Sequence, residues 1–160
     1  MTYELRFERL INAAREMVFD LFTSPGGQAA FYRQNEPGWV VRSECDLRVG
    51  GVWSVEFGPS EDQIYRHRHV FEVIDRPRRL LMTTTETRLD GSTFDTEMEF
   101  VFDAKGVQTL VTMFHRGFPT AALRDEHRVG LPVAFGELDR AVSAALERSQ
   151  AGHGHFGTGR

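Results

Sequence analysis

With 160 residues, 41% of them hydrophobic and 26% charged, the chain has the size and composition of one globular domain that can bury its own core. A net charge of −4 and an isoelectric point near 5.9 argue against a broad nucleic-acid or anionic-membrane footprint. The single cysteine, Cys45, excludes an internal disulfide, and no apolar run approaches the length of a membrane span.

The opening MTYELRFERLI carries charge from Glu4 onward, unlike a signal peptide, so a cytoplasmic location is expected. Tyr3 to Ile11 alternates apolar and polar residues, the pattern of a strand with one buried face. Asn12 is a candidate cap for a helix over about Ala14 to Phe22, with Met17, Val18, Leu21 and Phe22 as its apolar stripe. Thr23 to Gly27 breaks that helix, and Gln28 to Tyr32 suits a second short turn of helix. Pro37-Gly38 then marks a turn.

Trp39 to Cys45 and Val49 to Phe57 read as a hairpin, with Gly50-Gly51 as a bulge and Cys45 as a buried, unreactive thiol. Strands follow over Ile64 to Ile74, Leu80 to Thr87, Asp95 to Asp103 and Val107 to Arg116, joined by short turns, one of them built on Asp90-Gly91. The arginines at 66, 68, 76, 78 and 79 are matched by acids and read as solvated strand edges.

A short helical piece over Ala121 to Arg128 leads into a longer helix from Leu131 to Leu146. There Leu131, Phe135, Leu138, Val142 and Ala145 step along one face. A one-sided helix must lie on something, and what precedes it is mostly strand. The order predicts an α+β fold: a curved antiparallel sheet of about seven strands wrapped on a long C-terminal helix, as one domain over residues 1–150. The glycine-rich tail Ala151 to Arg160, with His153 and His155, is expected to be flexible.

Alternation also predicts which side chains face the helix. They are Trp53, Val55 and Phe57; Tyr65, His67, His69 and Phe71; and Leu80, Met82, Thr84 and Glu86. The later strands add Met98, Phe100 and Phe102, then Val111, Met113 and His115. Such an aromatic and methionine lining with a few polar groups suits a small-molecule pocket. The candidate ligand-binding residues are Trp53, Phe57, His67, His69, Phe71, Met82, Thr84, Glu86, Met98, Phe100, Met113, His115, Leu131, Phe135 and Leu138.

His67 and His69, two apart on one strand, share a face, and His115 is a candidate for the same interior. No acid or cysteine stands at ligand spacing on that strand, so no metal and no cofactor are expected. His67, His69, His115 and Glu86 are acid–base candidates only if they converge. No phosphate loop, zinc-protease helix or nucleophile elbow is present.

Four stretches resemble a known family. FERLINAAREMVFDLFT is similar to its first strand, turn and helix, with Ala14 where proline is usual. DLRVGGVWSVEF resembles its paired-glycine strand, VIDRPRRLLMTT its proline-arginine-leucine turn, and TLVTMFHRGFP its closing strand. Phe31-Tyr32 and Gly130-Leu131-Pro132 stand where the family often has tryptophan.

In order, these stretches resemble the activator of heat-shock-protein-90 ATPase homologue-like proteins of the START / Bet v 1-like (SRPBCC) superfamily. The resemblance implies a helix-grip fold with an apolar cavity between sheet and terminal helix. It implies binding of a small hydrophobic or aromatic molecule with no established reaction. Two alternatives stand beside it: a polyketide-cyclase- or hydrolase-like enzyme, and a chaperone-linked interaction module. No nucleic acid and no membrane are expected as partners, and a homodimer is compatible with the sequence.

Overall fold

The structure, a computed structural model, describes residues 1–158, with side chains described through residue 150. Seven strands form one antiparallel sheet in the order β1-β7-β6-β5-β4-β3-β2. Their ranges are β1 (Tyr3–Ile11), β2 (Val40–Cys45), β3 (Val52–Ser60), β4 (Gln63–Asp75), β5 (Arg79–Thr87), β6 (Thr93–Lys105) and β7 (Gln108–Phe118). Two short helices, α1 (Arg15–Phe22) and α2 (Pro25–Phe31), follow β1. A further two, α3 (Ala121–Val129) and α4 (Leu131–Thr158), close the chain. The expected tail 151–160, with its two histidines, lies outside the residues whose side chains are described.

From β2 to β7 each strand pairs with the next, and β1 returns to pair with β7. The sheet has one dry face. In β6 the burial alternates, with Met98, Phe100 and Phe102 inside, and β5 does the same with Leu80, Met82, Thr84 and Glu86. Onto this face α4 lays the predicted stripe of Leu131, Phe135, Leu138 and Val142, all buried. Phe135 meets Phe7 of β1 with ring centroids 4.9 Å apart and Phe31 of α2 at 5.3 Å. Asp139 accepts from Nε and Nη2 of Arg9 at 3.1 and 2.9 Å, tying helix to edge strand. This arrangement of curved sheet and long helix is the helix-grip fold.

Phe22, 1% exposed, is the junction of the other helices with the sheet. Its ring lies 4.7 Å from Phe100, 5.3 Å from Phe31 and 5.9 Å from Trp53. Such tilted and edge-on pairs suit the ring quadrupoles and add to the area each ring buries.

Several local expectations need correction. Asn12 does not cap α1; Ala14 is the N-cap, in extended backbone, and no side chain caps that end. The second helix begins at Pro25 rather than Gln28, because Ser24 accepts from the Gly27 N–H and Pro25 sits where a helix needs no donor. Gly27 also allows α1 and α2 to touch, since a Cβ there would lie 1.9 Å from the Leu21 carbonyl oxygen.

Gly50-Gly51 is a turn, not a bulge. Gly50 has φ +80°, and the pair exchanges backbone hydrogen bonds with Phe71 of β4. Cys45 is half-buried rather than buried and accepts from Gln28 Nε2 at 3.4 Å; burial pushes its thiol pKa up. Among the described residues no helix is long and apolar enough to cross a membrane.

Two substitutions test this packing. Phe22→Ala should lower the free energy of unfolding by about 3–5 kcal/mol, the range for deleting a buried aromatic ring. Gly27→Ala should cost about 1–3 kcal/mol through the forced separation of α1 and α2. Urea unfolding of each variant measures both.

Candidate functional site

The polar residues of the inner face come from neighbouring strands in register. His67 of β4 stands opposite Glu86 of β5, and His69 stands opposite Thr84. Thr84 in turn pairs with Thr96 of β6, and Met98 pairs with His115 of β7. One row of polar groups thus crosses a face that is mostly apolar. Each member is deeply buried: His69 and Thr84 have no exposed surface, Glu86 2%, His115 3% and His67 8%.

Buried polar groups need partners, and here all but one nitrogen of the row finds one. The Tyr32 hydroxyl sits 2.7 Å from His67 Nδ1 and 2.8 Å from His69 Nε2. His69 Nδ1 lies 2.7 Å from the Thr84 hydroxyl. His67 Nε2 lies 3.1 Å from Glu86 Oε2, but out of line for a hydrogen bond, which leaves that nitrogen buried without a proper partner. Glu86 Oε2 accepts from His127 Nε2 at 2.7 Å, and His127 Nδ1 donates to the Leu123 carbonyl at 2.8 Å. Separately, His115 Nε2 bonds the Thr96 hydroxyl at 2.7 Å.

The acceptors set the direction of this chain. A carbonyl and a carboxylate can only accept, so both nitrogens of His127 carry protons and the ring is an imidazolium. Burial opposes its charge, but the hydrogen bond and the negative charge of Glu86 prevail and raise its pKa. Burial likewise opposes a charged Glu86, yet the hydrogen bond from His127 and the close approach of His67 hold its pKa well below the usual carboxylate range.

A lone pair on His67 Nε2 would repel that carboxylate, so the His67 proton sits on Nε2 and its Nδ1 accepts from Tyr32. The Tyr32 oxygen then accepts from His69 Nε2–H, and His69 Nδ1 accepts from Thr84. Burial drives the Tyr32 pKa well up and the His69 pKa well down, so both stay neutral. Burial, aided by the positive charge of His127, takes His115 down to about 3.

Local structure holds the two residues that close this network. Tyr32 ends α2, where its carbonyl accepts from Trp39 Nε1 at 2.9 Å. His127 rides on α3, whose first turn is capped by the Thr120 side chain accepting from Leu123 N–H at 3.1 Å. Its ring is walled by Phe118, with centroids 5.0 Å apart, and by Phe94 and His115, both at 5.9 Å.

Beside the network lies a cavity of about 650 Å³ between the sheet, α2 and the α3–α4 corner. Of the residues expected from the sequence, Phe57, His67, Glu86, Met98, Met113, His115 and Leu131 lie on its wall. The structure places Trp53, His69, Phe71, Met82 and Thr84 behind that wall, in the packed interior. Phe100, Phe135 and Leu138 lie there too.

Of the four acid–base candidates, His67 and Glu86 meet directly. His69 reaches them only through Tyr32, and His115 bonds elsewhere. Tyr32 and His127 are absent from the sequence expectation, yet both are on the wall. Leu123 and His127, four apart on one helix face, are the available signal for the histidine. For Tyr32 the signal is its place in Phe31-Tyr32, where the family often has tryptophan at the pocket mouth; its partners, 35 and 37 residues away, leave no local pattern.

No curated protein matches the chain. Solved structures of similar shape are numerous. Protein CV1439 from Chromobacterium violaceum is 20% identical with a TM-score of 0.76, the match covering 87% of this chain and 96% of that one. CalU16 from Micromonospora echinospora is 22% identical with a TM-score of 0.61, over 92% and 80%. DynU16, described as a protein in the dynemicin biosynthetic locus, is 15% identical with a TM-score of 0.69, over 89% of this chain and 48% of that one. At such identities the likeness establishes the fold alone.

The family model for activator of Hsp90 ATPase homolog 1-like proteins matches residues 12–143. That span runs from the end of β1 into α4 and includes every residue of the polar network, and the chain belongs to this family.

Proposed function

We propose that the protein binds a small, mostly apolar molecule in the 650 Å³ cavity, with a polar group of that molecule turned toward Glu86, His127 and His67. The observation that carries this reading is the division of the cavity wall. Leu5, Phe31, Phe57, Met98, Met113 and Ala134 offer apolar surface, while the charged pair and the histidines stand together. Sites for small molecules are typically about 300–1,000 Å³, apolar, with a few convergent polar groups. Burying about 300 Å² of apolar ligand surface contributes about 7.5 kcal/mol before the costs of association, so micromolar binding also draws on the polar contacts at Glu86, His127 and His67.

The exposed apolar side chains Leu89, Val129 and Val133 belong to the same cavity. Their position supports a small-molecule entrance over a separate surface for docking a chaperone. A second reading, acid–base catalysis on the bound molecule, is favoured by one observation. Glu86 and His127 share a 2.7 Å hydrogen bond and both reach the cavity wall, as an acid and its partner must.

The dye 1-anilinonaphthalene-8-sulfonate tests the binding reading. It should bind one per chain, with a dissociation constant of tens of micromolar or tighter. Ala134→Trp, which fills the cavity from α4, should weaken binding at least tenfold while leaving the melting temperature within a few degrees. Equal binding by both proteins would sink the proposal.

A further inference from the structure

We infer that His67, Glu86 and His127 form a binding site for a divalent transition-metal ion, with zinc the best fit. The ligand atoms, one from each residue, all lie within 4.8 Å of one another. Two of the separations are 3.1 and 2.7 Å. Tetrahedral zinc with bonds of about 2.0–2.1 Å spaces its ligands about 3.3 Å apart, so shifts of less than an ångström bring the three into place. Two imidazoles and one carboxylate, with no thiolate, suit zinc and its neighbours rather than calcium or magnesium.

Three further observations separate this cluster from an ordinary buried ion pair. The first is His67 Nε2, a buried nitrogen aimed at the cluster without a proper hydrogen-bond partner there. Its side chain is only 9% exposed. A metal ion supplies the partner it lacks.

The second is the outer ring of contacts. Both histidines present Nε2 to the common centre while their Nδ1 atoms are held from behind, His127 by the Leu123 carbonyl and His67 by the Tyr32 hydroxyl. Metal-binding histidines are oriented in this way, because the outer hydrogen bond fixes the ring and its tautomer.

The third is that the chain behind His67 can reverse. Metal on His127 Nε2 releases the proton held there to solvent, while metal on His67 Nε2 moves that ring's proton to Nδ1, which then donates to Tyr32; Tyr32 donates to His69 Nε2, and His69 Nδ1 donates to Thr84. Hydroxyls both donate and accept, so every bond is kept while its polarity inverts.

His67, Glu86 and His127 all line the cavity, so the ion would present its remaining coordination face to a bound molecule. That molecule's contacting group would be an oxygen donor such as a carboxylate, phenolate or enolate. The site goes beyond the proposed apolar binding and does not require it, since the metal is probed alone.

The test uses the full chain with His153→Gln and His155→Gln as background, which removes the tail histidines. Zinc titrated calorimetrically should bind one per chain with a submicromolar dissociation constant. His127→Gln should weaken it at least 100-fold, and Tyr32→Phe about 10–100-fold, the usual effect of losing an outer contact. Cobalt added to the background protein should give the intense visible absorption of a low-coordinate nitrogen and oxygen site, a readout that needs no further variant. Absence of zinc binding below millimolar, or binding that His127→Gln and His67→Gln both leave unchanged, would overturn the inference. One dye bound per chain by the metal-free background protein, together with no zinc binding, would show that the cavity proposal stands even where the metal proposal fails.

Discussion

A carboxylate withdrawn from water must be paired, and the interior of this protein is arranged around that requirement. Glu86 is 2% exposed and sits on the inner face at the C-terminal end of β5, the central strand of the sheet. Left alone it would take up a proton or unfold its surroundings, since burial of an unpaired charge is among the costliest events in a protein core. Its partner is supplied from outside the sheet, by His127 on α3. The docking of that helix, the corner at Gly130 and the entry angle of α4 are therefore coupled to one ion pair beside the cavity.

The same constraint accounts for the shape of the network. A histidine next to Glu86 needs something behind it, which is Tyr32; Tyr32 then satisfies a second histidine, which ends on Thr84. Together they stiffen the wall of a cavity whose other side is soft, methionine-rich and apolar. A rigid polar side facing an adaptable apolar one is an arrangement that can orient a ligand without enclosing one shape. The aromatic junction at Phe22 holds α1 and α2 on the sheet, and so fixes where Tyr32 hangs.

The family and the fold were legible because both rest on local pattern. Alternation in β5 and β6 and the stepping of Leu131, Phe135, Leu138 and Val142 are enforced by backbone geometry within a few residues. The candidate site was legible in part. His67 and Glu86 were identified as inward-facing, as their strand periodicity requires, and the register brings them opposite one another. The half of the site contributed by helices was not. His127 meets Glu86 across 41 residues, and no periodicity within α3 states which strand that helix will cover.

The sequence by itself determined which face of each element is buried, and therefore the sheet, the grip of the helix on it and the chemical character of the interior. It did so because side-chain direction follows from the repeat of the backbone. Only the tertiary structure decided which inward residues reach the cavity and which lie behind its wall. Phe57 and Met113 line it, while Phe71 and Met82 of the same face do not. It also decided that His67, Glu86 and His127 meet at one point. That convergence depends on strand register, sheet curvature and helix docking together, and each is set by the sum of packing over the whole domain rather than by any stretch of it.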